Sequence, residues 1–248
     1  MQVEITTRCN FDCFYCAGRS MRQGDMSLGT FQAILERHIA LYGVPNIVSL
    51  QGEGEPTLNK EIFEMAQLAR DRGAQPYTIT NGTYKHPERF IGLFSSLGVS
   101  VDTLDEKRAR QIGRYNLKRV LAFVETLAPR LKIVIHTVYN RELSEAVVQW
   151  CRRQGYMHVV QPLQRKVDYT RNYPREISPA NSNRKFACGY VSHNKLRYYT
   201  LDSVELPCAF IKDTSAYEGI EAMRTHLAGG TWPRCCAGCR YGDGRIFE

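Results

Sequence analysis

The sequence predicts an α/β fold, a partial (β/α)6 barrel followed by a small hairpin-plus-helix module near the C-terminus. Between residues 2 and 161, short β-rich runs alternate with longer runs of helical periodicity. Glycines follow several of the helical runs, where a left-handed residue commonly ends a helix. After residue 161 the alternation stops, and prolines appear in a stretch without periodicity.

Six strands and five helices make up the predicted barrel. The strands are predicted at 3–7, 46–50, 75–80, 99–103, 132–139 and 156–161. The helices are predicted near 27–42, 60–72, 86–97, 106–128 and 142–154. Strict alternation with short connections predicts a parallel sheet with right-handed crossovers. Functional groups should therefore collect at the carboxyl ends of the strands.

The rest of the chain divides into a predicted linker, 162–185, and an auxiliary module, 186–248, which follow the barrel segment 1–161. Runs at 195–200 and 204–206 predict a hairpin, and 217–228 predicts a helix. About sixty residues with so few apolar side chains form only a small hydrophobic core, and a bound metal cluster would stabilise such a module.

Composition and charge narrow the class of protein. With 43% hydrophobic and 23% charged residues, the chain is neither disordered nor collagen-like. It shows neither a secretory signal nor an apolar run of about 18 residues, so we expect a cytoplasmic protein without membrane contact. The net charge of +8 comes partly from basic residues in 162–197. These fit a solvated surface better than a nucleic-acid site, because no groove-reading motif accompanies them.

The nine cysteines carry more information than the charge. An odd count without a secretory signal argues against a disulfide framework and for reduced thiols that bind metal or act in redox chemistry. Three lie in 9–16, Cys151 stands alone on a helical face as a small buried hydrophobe, and five lie in 188–239. The clustering predicts two metal sites.

The first cysteine group follows the first predicted strand. Cys9, Cys13 and Cys16 are separated by three and then two residues. Three ligands are too few for a closed zinc site, whereas an iron–sulfur cube can be held by three thiolates with one iron left open. Incidental or zinc-binding cysteines are the alternative. The run resembles the signature of the radical S-adenosylmethionine (SAM) enzymes, including Tyr15 before the last cysteine. That resemblance implies a 4Fe-4S cluster whose open iron is chelated by SAM.

Other motifs fall at strand ends, where the family places its cofactor contacts. Gly52-Glu53-Gly54-Glu55-Pro56 resembles the family's GxGEP element. The resemblance implies that these residues contact SAM: Tyr15, Gly54, Glu55, Pro56, Asn81, Ser100, Asp102 and Asn140. Plain turns or helix caps are the alternative for the positions beyond the GxGEP element.

The second cysteine group resembles a twitch or shortened SPASM auxiliary domain, which implies a second 4Fe-4S cluster. The implied ligands are Cys188, Cys208, Cys236 and Cys239. A four-cysteine zinc ribbon is the alternative, since zinc accepts the same ligand set. Cys235 could replace Cys236; we prefer Cys236 because a two-residue gap to Cys239 is the commoner chelate spacing.

The resemblance, to the 2-deoxy-scyllo-inosamine dehydrogenase type in particular, implies an oxidoreductase. A 5'-deoxyadenosyl radical would remove a substrate hydrogen, and the auxiliary cluster would accept an electron, as in alcohol dehydrogenation. Two alternatives are modification of a ribosomally made peptide and a non-catalytic iron–sulfur or zinc protein. The expected partners are a small-molecule or peptide substrate and an electron donor such as flavodoxin or ferredoxin.

The substrate side is predicted from chain position. The linker joins the last barrel strand to the auxiliary module and should cross the barrel mouth. We therefore predict Arg165 and Arg171 as catalytic residues, with Gln161 at the strand end, because guanidinium groups hold hydroxyls or stabilise an alkoxide. Solvent-facing arginines are the alternative. His136 alternates within a strand and is predicted as a core or barrel-lining side chain.

Overall fold

The computed structural model of the chain describes residues 1–138, 141–174, 186–192 and 196–240, with only the backbone of 141–144. Nine strands fall in these ranges: β1 (Gln2–Val3), β2 (Ile47–Leu50), β3 (Gln75–Tyr77), β4 (Ile79–Thr80), β5 (Ser96–Ser100), β6 (Lys132–Val138), β7 (Met157–Gln161), β8 (Tyr198–Tyr199) and β9 (Glu205–Leu206).

Eight α-helices are described: α1 (Leu28–Tyr42), α2 (Ile62–Asp71), α3 (Glu106–Ile112), α4 (Leu117–Leu127), α5 (Arg141–Gln154), α6 (Val167–Thr170), α7 (Gly189–Ser192) and α8 (Ile220–Ala228). The α1 helix begins after Ser27, whose side chain accepts a hydrogen bond from the Thr30 amide. It ends at Gly43, which has a φ of 81°. Its buried face carries Phe31, Ile34 and Leu35.

The strands confirm the predicted parallel partial barrel. One sheet has the order β3-β2-β1-β8-β9 and the other β4-β5-β6-β7. Only Thr78 separates β3 from β4, so the third predicted strand pairs with β2 at one end and β5 at the other. All pairs from β1 to β7 are parallel. The carboxyl ends of six barrel strands therefore meet on one side.

Two of the predicted helices are wrong in part. The run 86–97 contains a short 3-10 helix (Pro87–Phe90), not an α-helix, and β5 already begins at Ser96. Gly92, with a φ of 79°, breaks the run. The run 106–128 forms two helices, because Gly113 adopts a left-handed conformation after α3. Phe90 and Phe94, four residues apart in the run 86–97, are buried in the core.

The predicted hairpin forms, and it extends the barrel sheet. The β8 and β9 strands are antiparallel to each other, and β8 lies parallel to β1. A first apolar cluster fills the barrel and includes Tyr199; a second, around Val191, Leu206 and Met223, fills the auxiliary module. The predicted domain boundaries at residues 161 and 185 stay predictions. The β8 strand follows both of them in the chain, yet it pairs with the barrel strand β1, so the two parts share one sheet.

Within the described part of the chain, no helix combines the length and apolar character needed to cross a bilayer.

Candidate active site

Two backbone hydrogen bonds from the cysteine loop (residues 9–16, after β1) to the α3–α4 turn hold this loop in place. The amide of Asp12 donates to the Gly113 carbonyl at 3.1 Å, and the amide of Phe14 donates to the Ile112 carbonyl at 3.0 Å. A Cβ on Gly113 would lie 2.5 Å from the Asp12 carbonyl oxygen, so only glycine permits this approach. Backbone contacts with the α3–α4 turn thus help to fix the loop between Cys9 and Cys16.

The three thiols fit an iron–sulfur cluster. Cys9, Cys13 and Cys16 line one cavity, and the Cys9 sulfur accepts a hydrogen bond from the Phe11 amide at 3.4 Å. Burial raises the pKa of the Cys9 thiol to about 11 and also raises the pKa of the other two. Without a cation these thiols keep their protons. Cluster iron would displace the protons and bind the thiolates.

No group of three or more His, Cys, Asp or Glu side chains in the described ranges is arranged to hold a single metal ion. A cube places each thiolate on a different iron, so its ligands do not converge on one point. The two cysteine groups are therefore compatible with clusters without forming a single-ion site.

The GxGEP-like loop packs directly against the cysteine loop. A Cβ on Gly54 would lie 2.5 Å from the Thr6 carbonyl oxygen and 2.6 Å from that of Arg8. The Glu55 amide donates to the same Arg8 carbonyl at 2.7 Å. Gly54 therefore permits a close backbone approach. Pro56 is buried and begins a 3-10 helix (Pro56–Leu58), outside the cavity lining.

Glu55 is a buried carboxylate held by its neighbours. Its Oε1 accepts from the hydroxyls of Thr57 and Thr80 at 2.7 and 2.6 Å, and its Oε2 accepts from the Asn81 amide at 2.6 Å. Burial raises its pKa, and these hydrogen bonds oppose the rise. Oε2 accepts one hydrogen bond from the described residues and has capacity for another, which suits the predicted contact with an ammonium group.

Tyr15 and Asp102 meet at a third residue that the sequence analysis missed, Arg114. The Tyr15 hydroxyl donates to Asp102 Oδ2, and Arg114 Nε lies 2.8 Å from the same oxygen. Arg114 also donates to the Tyr15 oxygen and, at 3.0 Å, to the Ser100 carbonyl. Asp102 Oδ1 accepts from the Val138 amide at 2.8 Å. Asp102 thus anchors the cysteine loop from outside the cavity lining, while its predicted contact with SAM stays a prediction.

A buried ion pair connects the GxGEP-like loop to the auxiliary module. Lys212 Nζ lies 2.9 Å from Glu53 Oε1, with side chains only 5% and 15% exposed. The Tyr169 hydroxyl donates to the same oxygen at 3.1 Å, and the Cys16 thiol donates to Glu53 Oε2 at 3.3 Å. Burial tends to raise the pKa of Glu53, but Lys212 and the hydrogen bonds lower it overall. The sequence carried no signal for this pair, because its residues lie far apart along the chain.

These elements enclose a cavity of about 330 Å³. The predicted site residues that line it are Cys9, Cys13, Tyr15, Cys16, Gly54, Glu55, Asn81, Ser100 and Gln161. Its barrel side also includes His136, and Gln164 and Tyr169 come from the segment after β7. The auxiliary side is formed by Tyr190, Leu196, Ala209 and Phe210. The structure thus places the cysteine triad on one wall of this cavity and residues of the auxiliary module on another, while the predicted auxiliary ligands are not among its described lining residues.

The predicted auxiliary ligands lie together in the module. Burial raises the pKa of Cys208 to about 12, with Cys239 and Cys188 adding to the rise. The Cys235 thiol, burial, and then the charges of Cys208 and Cys239 raise the pKa of Cys236. The Cys235 and Cys236 sulfurs are 4.0 Å apart. The four thiols are close enough to influence each other, and the choice of Cys236 over Cys235 stays a prediction.

Neither predicted catalytic arginine lines the cavity. Arg171 has a side chain that is 47% exposed and lies 3.1 Å from Asp168. Arg165 contributes its backbone, on which the Gly238 turn packs. Their catalytic roles stay predictions that the geometry does not support. Asn140, another predicted cofactor contact, lies outside the described residues.

The barrel, the three-thiol loop and the GxGEP-like loop define an enzyme that uses an iron–sulfur cluster with one open iron. The chain belongs to the radical SAM superfamily, whose family model matches residues 3–151. Membership implies a 4Fe-4S cluster and SAM as cofactors.

Curated relatives match part of the chain. The S-adenosylmethionine-dependent nucleotide dehydratase of Selenomonas ruminantium is 26% identical over 153 residues, covering 56% of this chain and 55% of that protein. The GTP 3',8-cyclase of Paracoccus denitrificans is 30% identical over 175 residues, covering 63% of this chain and 49% of the cyclase. The chain thus spans about half the length of these relatives.

Solved structures share the fold along the whole chain. Streptococcus suis SuiB bound to precursor peptide SuiA aligns with a TM-score of 0.68 at 14% identity, covering 99% of this chain and 65% of that chain. BtrN in complex with AdoMet and 2-DOIA aligns with a TM-score of 0.51 at 17% identity, covering 91% of this chain and 80% of that chain.

Proposed function

We propose that this protein is a radical SAM oxidoreductase that dehydrogenates an alcohol with the help of a second 4Fe-4S cluster. The observation that carries the proposal is the shared cavity: the cysteine triad lines one side of it, and the module with Cys188, Cys208, Cys236 and Cys239 forms the other. When bound, SAM and the first cluster supply a 5'-deoxyadenosyl radical, and the second cluster supplies an electron acceptor. An alcohol that loses a carbinol hydrogen atom, a hydroxyl proton and one electron becomes a carbonyl compound.

The residues of this chain would bind and orient these groups. Cys9, Cys13 and Cys16 would hold the first cluster on a loop that the Gly113 turn keeps in place. Glu55 would receive the SAM ammonium group at Oε2 beside the Asn81 amide. Phe210 and Tyr190, on the auxiliary wall, would limit access of water to the reacting carbon.

Two other substrate classes come from similar proteins. The curated relatives named above act on nucleotides, and SuiB binds a precursor peptide. A nucleoside triphosphate needs cations, yet Arg114 is the sole lysine or arginine among the described cavity-lining residues, and Asp102 already pairs with it. Peptide modification is the alternative with structural support, because the SuiB fold covers the whole chain. Flavodoxin or ferredoxin remains our proposed electron donor.

Metal content tests the auxiliary cluster. Anaerobically prepared protein should bind about eight irons per chain, as two cubes require. Replacement of Cys9, Cys13 and Cys16 by alanine together should leave about four. About four irons and one zinc in the parent would contradict the second cluster.

Product analysis tests the reaction class. The reduced parent protein should convert SAM to 5'-deoxyadenosine and methionine, and the triple cysteine variant should not. An equal yield of 5'-deoxyadenosine from that variant would contradict the assignment of the triad.

A further inference from the structure

Two side chains that line the cavity and that the proposed chemistry does not use each carry a buried nitrogen without a partner. Gln164 is 5% exposed, and its Oε1 accepts from the Arg240 amide at 3.2 Å. His136 lies in β6, and its Nε2 is 2.9 Å from the Tyr77 hydroxyl. Gln164 Nε2 and His136 Nδ1 are both buried without a hydrogen-bond partner in the described part of the chain. Buried polar groups are almost always paired in native proteins, so each nitrogen has capacity for a further partner.

The position of His136 depends on a glycine in the neighbouring strand. A Cβ on Gly98 would lie 2.6 Å from the Tyr77 hydroxyl oxygen and 3.1 Å from His136 Cδ2. The absence of a side chain at Gly98 therefore leaves room for the Tyr77–His136 pair inside the barrel. Burial raises the pKa of Tyr77 to about 12, and burial followed by the charge of His158 lowers that of His136 to about 4. Both groups are uncharged near neutral pH.

The charged groups around the cavity already have partners. Glu53 pairs with Lys212, and Arg114 pairs with Asp102. Glu55 accepts hydrogen bonds from Thr57, Thr80 and the Asn81 amide. The lining residues that the structure describes therefore favour an uncharged ligand over an anion beside Gln164 and His136.

The size of the cavity favours a small molecule. Its volume of about 330 Å³ is near the lower end for small-molecule sites, which run from about 300 to 1,000 Å³. SAM must share this space, and the module closes one side with Tyr190 and Phe210. A peptide segment would have to displace part of that wall.

We propose that Gln164 and His136 bind an uncharged, hydroxyl-bearing small molecule, with Gln164 Nε2 donating to one oxygen and His136 Nδ1 hydrogen-bonded to a second hydroxyl. A hydroxyl both donates and accepts, so it satisfies Nδ1 in either imidazole tautomer. Both nitrogens are buried in this structure, so binding requires each side chain to turn about its terminal torsion, whose minima are broad. This inference rests on the proposed function, since it names the substrate class of the same site.

Equilibrium dialysis with the SAM-loaded holoenzyme tests the ligand class. The probes are myo-inositol, D-glucose and glycerol, each compared with its monophosphate, together with the uncharged peptide acetyl-Ala-Ser-Ala-amide. At least one polyol should bind, and more tightly than its monophosphate. Tighter binding of the monophosphates, binding of the peptide alone, or no binding of any polyol at millimolar concentration would overturn the inference.

Paired substitutions test the two nitrogens. Gln164→Glu keeps an acceptor for the Arg240 amide but removes the amide donor, and should weaken polyol binding at least about fivefold. In His136→Asn the polar side-chain atoms are bonded directly to Cγ, as Nδ1 is in histidine. In His136→Gln they are two bonds from Cγ, as Nε2 is in histidine. His136→Asn should therefore retain more affinity than His136→Gln. The reverse order, or parental affinity in Gln164→Glu and His136→Gln, would overturn the inference.

His158 supplies the matched control. It lies in β7 with its Nε2 2.8 Å from the Thr137 hydroxyl and is not a lining residue. His158→Asn and His158→Gln should bind the polyol as the parent does. SAM cleavage by the parent protein separates the two hypotheses: if the parent cleaves SAM but binds no polyol, only this inference fails, whereas a parent that does not cleave SAM contradicts the proposed function itself.

Discussion

The buried pair of Glu53 and Lys212 should contribute strongly to stability, and Lys212→Met tests it. Lys212 Nζ lies 2.9 Å from Glu53 Oε1, and the two side chains are only 5% and 15% exposed. The substitution keeps most of the apolar volume but leaves a buried carboxylate without its counter-charge. Such a loss costs about 3–5 kcal/mol.

The lower end of that range applies here. The Tyr169 hydroxyl still donates to Glu53 in the variant. We therefore expect a loss of about 3 kcal/mol in the free energy of unfolding. In a protein of this size, 1 kcal/mol shifts Tm by about 2–4 °C, so Tm should fall by roughly 6–12 °C.

The assay is anaerobic thermal unfolding of the holo-protein, followed by circular dichroism. Glu53→Gln combined with Lys212→Met should recover much of the loss, because the buried charge is gone. Lys107→Met, at an exposed position of α3, is the matched control and should leave Tm nearly unchanged. A Lys212→Met protein with the parental Tm, or a double variant less stable than Lys212→Met alone, would refute the reasoning.

Two further predictions concern the pH response and the auxiliary module. Burial lowers the pKa of His38 to about 4 in the folded protein, where its ring contacts the Tyr199 hydroxyl. As pH falls, the unfolded chain protonates His38 at a higher pH than the folded protein does, so the free energy of unfolding should fall as pH drops from about 6.5 toward 4. His38→Gln should weaken this dependence of stability on pH, measured by urea titrations at several pH values. Gly238→Ala would place a Cβ 2.5 Å from the Arg165 carbonyl oxygen at a φ of 76°. Iron analysis should show selective loss of the second cluster, and full iron content would count against the proposed ligand turn.

Periodicity and contiguous motifs explain what the sequence predicted well. The strands follow the alternation of β-rich and helical runs, and the triad and GxGEP-like loop are each contained in a few adjacent residues. The run 86–97 has helical spacing at Phe90 and Phe94, yet Gly92, with a positive φ, interrupts it. Apolar spacing reports burial, which a 3-10 helix followed by a strand can also satisfy.

The site residues that the sequence did not predict are those that only tertiary packing brings to the cysteine loop or to the GxGEP-like loop. Arg114 reaches Tyr15 from the α3–α4 turn, and Lys212 reaches Glu53 from the auxiliary module. No spacing in the sequence connects either pair. Arg165 and Arg171 are predicted from chain position, which does not determine which side chains enter the cavity; neither lines it, and their catalytic roles stay predictions. Gln164, one residue before Arg165, lines the cavity.

The contacts between the barrel and the auxiliary module make them one structural unit at the site. The β8 strand extends the barrel sheet beside β1, and Lys212 neutralises a carboxylate in the GxGEP-like loop. Lys166, after β7, donates to the Phe210 carbonyl next to the cavity wall. Removal of the module would therefore expose the β1 edge, leave Glu53 without its counter-charge and open the cavity. A barrel cut before the module should lose more than a second cluster, because the first site depends on the module for charge and enclosure.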